Sequence, residues 1–412
     1  MFAADVCSFA ANRTRTLPAT HSRRQLPLIA VGVTHPQTCL VLKGRLRSLR
    51  EAGFRVVLVS SPGELLSQTA RSEGVEAHPI PIERAIAPWA DLISLFRLWR
   101  LLRNLRPDMV EFSTPKAGLL GSLAALLARV PRRVYMLRGL KLETANGLKR
   151  AVLLAAERIA AACAHSVLCN SESLRDQALA LRVAPERKLD LLGEGSSSGV
   201  DIIHFSPGLT RVRRLLRIAS DAFVIGYVGR LTRDKGLPEL LDSFDAILRA
   251  EPAAHLLLVG WFDASDDALD EGLCIRILTH PRIHWAGYVS DVAAYYRAMD
   301  ILVLPTWREG FPNVVLEAAS TAIPVITTIS TGSRDSVVPE VTGLLIPPGC
   351  PEAITEAVLK LLHDPDRRRR MGRAARAWVR ENYMNGYVLS LTVAYYKSLL
   401  GPRFGAGTAL PV

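Results

Sequence analysis

Two carboxylates eight positions apart, Glu309 and Glu317, bracket the stretch of the chain richest in chemistry, EGFPNVVLE. A carboxylate accepts several hydrogen bonds at once, so it suits the vicinal hydroxyls of a ribose or a hexose. Between the two glutamates, Gly310, Phe311, Pro312 and Asn313 read as a polar turn, and Val314 opens an apolar run with helical spacing. Asn313 is placed to cap that helix. A helix N-terminus presents unpaired N–H groups and the positive end of the macrodipole, which favours a phosphate. A second stretch, GRLTRDKG over 229–236, carries Arg230 and Lys235 in a glycine-bounded turn. Two cations there neutralise a diphosphate with no metal ion. Together these residues describe a site for an anion that also bears hydroxyls.

Each of these groups sits where a strand gives way to a helix. The run Ile301-Leu302-Val303-Leu304 reads as a buried parallel strand that stops at Pro305. The run 223–228 is a strand ahead of the basic turn, and a helix follows from Leu237. Further strands are expected at 255–260, 283–288 with its Gly287 turn, 324–328 and 343–349. Helices are expected over 351–362, 367–383 and 387–400. The acidic loop with Asp263, Asp266, Asp267, Asp270 and Glu271 fits no EF-hand spacing and reads as solvated.

The first half repeats the alternation. A strand over 28–31 runs into a loop with Gly32 and His35, then a basic amphipathic helix over 40–51, then a strand over 54–59. This order opens a doubly wound α/β domain, whose ligands bind beyond the carboxyl ends of the strands. No GxGxxG follows the first strand, which argues against a dinucleotide-dependent dehydrogenase. Strands at 108–112, 134–137 and 166–169 each leave into a polar turn. Two of those turns bring cations toward a cleft: Lys116, in a first helical turn opened by Pro115, and Arg138. Both are candidates for a phosphate or an acceptor. The segment 89–106, WADLISLFRLWRLLRNLR, has helical apolar spacing with arginines mainly off the stripe. It reads either as a helix packed on the sheet or as a face for a membrane surface.

The expected organisation is a flexible leader over 1–25, one domain over 26–205 and a second over 206–383. A last helix over 384–400 and a tail over 401–412 complete it. The Gly- and Ser-rich stretch GEGSSSGVD at 193–201 reads as the linker. The 412 residues suffice for two cores. Six scattered cysteines show no CxxC pair and no metal spacing, as expected of a reducing cytosol. No apolar run is long enough to span a bilayer, and 1–25 lacks a signal-peptide pattern. Charge is lopsided: residues 1–200 hold 28 Lys and Arg against 16 Asp and Glu, whereas 201–412 hold 23 of each. The basic half suggests an acidic partner, an anionic membrane surface or a pyrophosphate-linked lipid. It shows no recognised nucleic-acid motif, and no nucleic acid is expected.

The EGFPNVVLEA run after an apolar strand, with GR-x4-KG ahead of it, resembles the E-x7-E signature of the GT-B glycosyltransferases, retaining family 4 in particular. STPKAGLLGSLAA and LRGLKLETANGLKR look like the branch that assembles cell-surface polysaccharides and lipid-linked oligosaccharides. The resemblance implies two doubly wound Rossmann-like domains facing a cleft, with the last helix crossing back to the first. It implies transfer of a sugar from a nucleotide diphosphate sugar, with UDP expected, to a hydroxyl of a glycan or polyprenyl-diphosphate-linked acceptor, with retention. Glu317 would then hold the ribose hydroxyls, and Glu309 would contact the donor sugar. Arg230 and Lys235 would stabilise the leaving diphosphate, assisted by backbone amides from Phe311 to Val314. Gly32 would let the first domain approach the donor, and the strand and turn around Gly287 would lie beside the base. No cofactor and no metal are implied. The expected location is cytoplasmic, peripheral on the inner membrane face. One departure stands out, because many relatives carry a histidine where this chain has Arg138-Gly139. Two other readings share the architecture: a UDP-N-acetylglucosamine 2-epimerase and a non-catalytic nucleotide-sugar-binding protein.

Overall fold

A computed structural model describes residues 26–83 and 87–401 of the chain. The expected leader over 1–25, and the tail beyond Gly401, lie outside the described residues.

The first sheet has seven parallel strands: β1 (Leu28–Gly32), β2 (Arg55–Ser60), β3 (Glu76–Pro79), β4 (Met109–Ser113), β5 (Arg132–Leu137), β6 (Ser166–Cys169) and β7 (Leu189–Leu191). Their order is β3-β2-β1-β4-β5-β6-β7. The second sheet has six parallel strands: β8 (Val224–Val228), β9 (His255–Val259), β10 (Ile283–Trp285), β11 (Ile301–Leu304), β12 (Val325–Thr328) and β13 (Gly343–Ile346). Their order is β10-β9-β8-β11-β12-β13. In both sheets the order reverses beside the first strand formed, and these switch points open the crevice in which such sheets bind ligands.

The apolar runs are continuous because both faces of each sheet are covered. In β1, Ile29 and Val31 enter one core and Leu28 and Ala30 the other. Val56 and Leu58 of β2 divide from Val57 and Val59 in the same way. Each fully buried aliphatic side chain contributes about 1.5–3 kcal/mol. The helix Leu237–Ala250 buries Leu237, Leu240, Leu241, Phe244 and Ile247, one face of a 3.6-residue period.

The last helix, Asn385–Leu400, packs on the first half, as the GT-B resemblance implies. Tyr396 enters the first-half core, the Tyr395 hydroxyl donates to Asp190 at 2.5 Å, and Arg132 Nε donates to the Leu399 carbonyl at 2.7 Å.

Three local expectations change. The helix expected over 40–51 is two pieces, a 3-10 turn Pro36–Leu42 and an α-helix Arg45–Glu51, parted by Gly44 in the left-handed region. The cause is Arg45. It is not a solvated base but lies 1% exposed, with Nη1 and Nη2 donating to both oxygens of the buried Glu111. Asn313 is not a cap: Pro312 holds that position, and Asn313 is the first helical residue with no side-chain cap bond. The Gly- and Ser-rich connector is packed rather than loose. Ser196, Ser197 and Ser198 are buried, Asn385 Nδ2 donates to the Ser198 carbonyl at 2.6 Å, and Val200 N donates to the Tyr383 carbonyl at 2.9 Å.

Candidate active site

A cavity of about 620 Å³ lies between the two sheets. The second half contributes Arg230 and Lys235 after β8, Trp261 after β9, Tyr288 after β10, and the run 308–314 with Glu317 after β11. The first half contributes Gln37, Thr38, Leu40 and Val41 from the turn after β1, and Arg138, Gly139 and Leu140 after β5. Every contribution comes from the carboxyl end of a strand, as the doubly wound geometry requires.

The cations are held by carboxylates. Lys235 Nζ lies 2.5 Å from Glu309 Oε1. Arg230 Nη1 donates to Asp263 at 2.8 Å, and its Nη2 reaches Asp234 at 3.4 Å. Burial opposes the Arg230 charge, but Asp234, Asp263 and Glu309 outweigh it and hold the guanidinium above its ordinary pKa. Asp234 is buried. Burial pushes its pKa up, but Lys235, the Thr232 hydroxyl at 2.6 Å, Arg230 and Arg308 prevail and hold it below the usual carboxylate range. Arg308 Nη2 donates to the same Asp234 at 2.9 Å. A cluster of three cations is therefore fixed in place by Asp234, Asp263 and Glu309 before any anion arrives. Asp263 is thus a partner of Arg230 and not a solvated loop residue, which corrects the reading of that acidic stretch.

At the other end of the run, Glu317 accepts a hydrogen bond from the buried Tyr296 hydroxyl at 2.8 Å. Burial pushes its carboxyl up to about 7, against the lowering effect of that bond. The helix Asn313–Ser320 opens on the same cavity, with Asn313 and Val314 in its wall. Trp261 and Tyr288, with ring centroids 5.7 Å apart, form an aromatic wall that a planar base can stack against.

The halves meet at main chain. A Cβ placed on Gly310 would lie 2.3 Å from the Arg138 carbonyl oxygen, and within the second half one on Gly332 would lie 2.4 Å from the Gly310 carbonyl. Only glycine permits this approach. Around the junction, the Ser173 hydroxyl donates to Asp335 and accepts from Gly332 N. Thr331 donates to Glu143 at 2.6 Å, and Arg308 Nε donates to Thr144 at 2.9 Å.

The structure brings Glu309, Arg230, Lys235, Glu317, Gly310, Phe311, Pro312, Asn313, Val314 and Arg138 to one cavity. It does not bring Lys116, Gly32 or Gly287 into its wall. Lys116 lies 2.7 Å from Asp91 on the neighbouring helix. Gly32 is a glycine because a Cβ there would fall 2.1 Å from the Phe112 ring of β4. Gly287 precedes the lining residue Tyr288. Sequence reading passed over Asp234, Arg308, Trp261 and Tyr296. Asp234 lay inside the basic motif, and Arg308 directly before Glu309. Tyr296 had no signal beyond helical spacing. Among the described residues, no cluster of three or more His, Cys, Asp or Glu could hold a metal ion.

Comparison with known proteins fits this geometry. Residues 222–364 match the family "Glycosyl transferases group 1", and 43–195 match "Glycosyl transferase 4-like domain". The capsular polysaccharide biosynthesis glycosyltransferase CapM of Staphylococcus aureus is 36% identical over 89% of this chain and 96% of its own length. The UDP-Gal:alpha-D-GlcNAc-diphosphoundecaprenol alpha-1,3-galactosyltransferase of Escherichia coli is 26% identical over 71% and 76%. Anabaena HepE, solved in complex with UDP, superposes with a TM-score of 0.72 at 17% identity, over 90% of this chain and 100% of its own. That likeness concerns the fold. The two parallel sheets, the cleft between their carboxyl ends, and a relative alike over nearly its full length place this chain in the group 1 glycosyltransferases of GT-B fold.

Proposed function

We propose that this chain transfers a hexose from a UDP-sugar to a hydroxyl of a lipid-linked or growing polysaccharide glycan, with retention of anomeric configuration. The observation that carries the reading is the Lys235–Glu309 pair at 2.5 Å, set in one cavity with Arg230 and Glu317. In this reading the base lies against Trp261 and Tyr288. Glu317, oriented by Tyr296, accepts from the ribose hydroxyls. Arg230, Lys235 and the backbone N–H groups of Phe311, Asn313 and Val314 take the diphosphate. They stabilise the charge that grows on it as the bond from anomeric carbon to phosphate oxygen breaks. Glu309, anchored by Lys235, holds a hydroxyl of the donor sugar and so fixes the ring beside the diphosphate. The acceptor hydroxyl attacks from the face the diphosphate leaves, and its proton passes to a phosphate oxygen of that leaving group. No nucleophile from the protein enters this scheme.

The lipid-linked acceptor is supported by the acceptor named for the Escherichia coli relative and by one surface of this chain. The helix Pro88–Leu105 exposes Trp89, Leu92, Ile93 and Phe96, and the helix Gly147–Cys163 exposes Leu148, Val152 and Ile159. Arg97, Arg100, Arg103 and Arg150 neighbour these side chains along the two helices, whereas Lys149 is paired with Asp266 at 2.9 Å. An apolar face rimmed by cations suits the inner, anionic leaflet of a membrane, where the enzyme would sit peripherally. No described helix is long and apolar enough to cross a bilayer.

Incubation with UDP-glucose, UDP-galactose and their N-acetyl forms, and with short-chain glycosyl diphosphate lipids, tests the function. The expected product carries the donor's axial anomeric configuration by proton NMR. An equatorial product would end the retaining assignment, and an epimerised donor without transfer would end the transferase assignment. Vesicle flotation tests the surface: binding should rise with anionic lipid and fall in Trp89→Ala/Phe96→Ala. Equal binding to neutral and anionic vesicles would remove the membrane from the scheme.

A further inference from the structure

We propose that Ser173 of the first half and Asp335 of the second form a latch that positions Glu309, so that seating the two halves together fixes the carboxylate that faces the donor sugar. The inference rests on the transferase reading and adds to it two positioning residues from outside the cavity wall.

Ser173 lies buried in the first turn of the helix Glu172–Ala180. The N–H groups of a first helical turn have no partner within the helix. The Ser171 cap takes that of Leu174 at 3.3 Å, and the Asp335 carboxylate, from the other half, takes that of Ser173 at 3.1 Å. The same Asp335 oxygen accepts from the Ser173 hydroxyl. One carboxylate oxygen thus receives two hydrogen bonds beside the positive end of a helix, where a negative charge is favoured. The Ser173 hydroxyl in turn accepts from the buried Gly332 N at 2.7 Å. Next in the chain, Thr331 donates to Glu143 of the first half at 2.6 Å. The first half therefore holds the loop 331–335 at Thr331, Gly332 and Asp335. On its inner side the Ser333 and Thr327 hydroxyls meet at 2.5 Å and tie the loop to β12.

The same loop carries Glu309. Glu309 N donates to the Thr331 carbonyl at 3.1 Å. A Cβ on Gly332 would lie 2.6 Å from the Glu309 carbonyl oxygen, so the two main chains are in direct contact. The loop thus backs the main chain of Glu309, while Lys235 holds its carboxylate at 2.5 Å. A continuous series of contacts runs from Ser173 through Gly332 and Thr331 to the residue that faces the sugar. The groups assigned to the nucleotide are braced differently. Arg230 is held by Asp263 and Asp234, and Glu317 by Tyr296, all within the second half. Release of the latch therefore shifts Glu309 relative to the sugar and leaves the nucleotide's own contacts in place.

Calorimetry with UDP and with the tightest binder among UDP-glucose, UDP-galactose and their N-acetyl forms tests this, because the ratio of the two affinities reports the sugar contact alone. Ser173→Ala and Asp335→Ala should lower that ratio about tenfold, as loss of one hydrogen bond to a charged group does, and keep UDP affinity within about twofold. Asp335→Asn, which keeps an acceptor without the charge, should fall between. In a Glu309→Gln background, Asp335→Ala should change the ratio no further. Amide hydrogen exchange over 308–311 needs no ligand and should quicken about tenfold in both latch variants. Unchanged exchange would overturn the proposal. So would an unchanged ratio in the latch variants where Glu309→Gln lowers it, and a reduced melting temperature alongside would mark a structural tie only. An equal loss for UDP and UDP-sugar would also overturn it, since the latch would then act on the nucleotide. If Glu309→Gln leaves the ratio unchanged, or no nucleotide binds wild type, the donor reading fails and the exchange alone decides the latch.

Discussion

The contact of Gly310 with Arg138 gives the sharpest mutational test of the cleft. In Gly310→Ala the new Cβ falls 2.3 Å from the Arg138 carbonyl oxygen and 3.0 Å from Gly139 N. Both neighbours are backbone, so no rotamer change relieves them. Ordinary van der Waals separation requires movement of about 1 Å. If the halves stay together, the strain costs about 1–3 kcal/mol. If they part, Glu309 and Lys235 move relative to everything the first half places in the cleft. Misplacement of about 1 Å costs on the order of 100-fold in rate. Arg230, Lys235, Glu317 and Tyr296 all belong to the second half, so UDP affinity should change by no more than about twofold. Steady-state transfer kinetics beside UDP calorimetry read both quantities. A fall in kcat near 100-fold with UDP binding kept is the expected result. Wild-type kcat and melting temperature would refute the reasoning, since two backbones cannot share that space with a methyl group.

Other perturbations have equally definite outcomes. Ribose binding needs Glu317 ionised, and its carboxyl is raised to about 7 by burial. KM for the donor should therefore rise about tenfold from pH 8 to pH 6, and Glu317→Gln should remove that dependence while weakening binding at every pH. Breaking the buried Arg45–Glu111 pair on one side, by Arg45→Met or Glu111→Leu, should cost about 3–5 kcal/mol, whereas the double variant recovers most of it, read by urea denaturation. His255 links Arg282 and His284 through contacts of 2.9 and 2.8 Å. Arg282 can only donate, so His255 Nε2 accepts and its Nδ1–H donates to His284. Burial, with His284 and the nearby arginines, lowers His255 to about 4, and His284 is lowered as well. Groups held below their unfolded pKa contribute stability above about pH 6.5 that is lost as pH falls toward 4. The difference in unfolding free energy between wild type and His255→Gln should shrink over that window, and a difference independent of pH would show that the chain of contacts carries no linkage.

The strands and the second-half site were legible because they rest on local pattern. An apolar run, a glycine-bounded turn and a helix start fix Glu309, Glu317, Arg230 and Lys235 within a few residues of one another in each motif. What escaped depends on distant partners. Arg45 reads as one more base on an amphipathic helix until Glu111, sixty-six residues away, takes both its donors. Asp263 reads as part of a solvated acidic loop until Arg230 meets it. The connector at 193–201 has the composition of a flexible tether, yet backbone bonds to Tyr383 and Asn385 hold it in place. Gly32 and Gly310 are both glycines beside strand ends, and only their neighbours distinguish a packing role from a cleft role.

The central claim is that one carboxylate reads the ribose of a nucleoside diphosphate, and a double-mutant cycle on the ligand tests it directly. UDP and 2′,3′-dideoxy-UDP are titrated into wild type and Glu317→Ala. The account predicts that wild type prefers UDP by at least about tenfold and that Glu317→Ala binds the two alike, at the weaker affinity. An equal preference for UDP in both proteins would place the ribose elsewhere and contradict the assignment of the cleft.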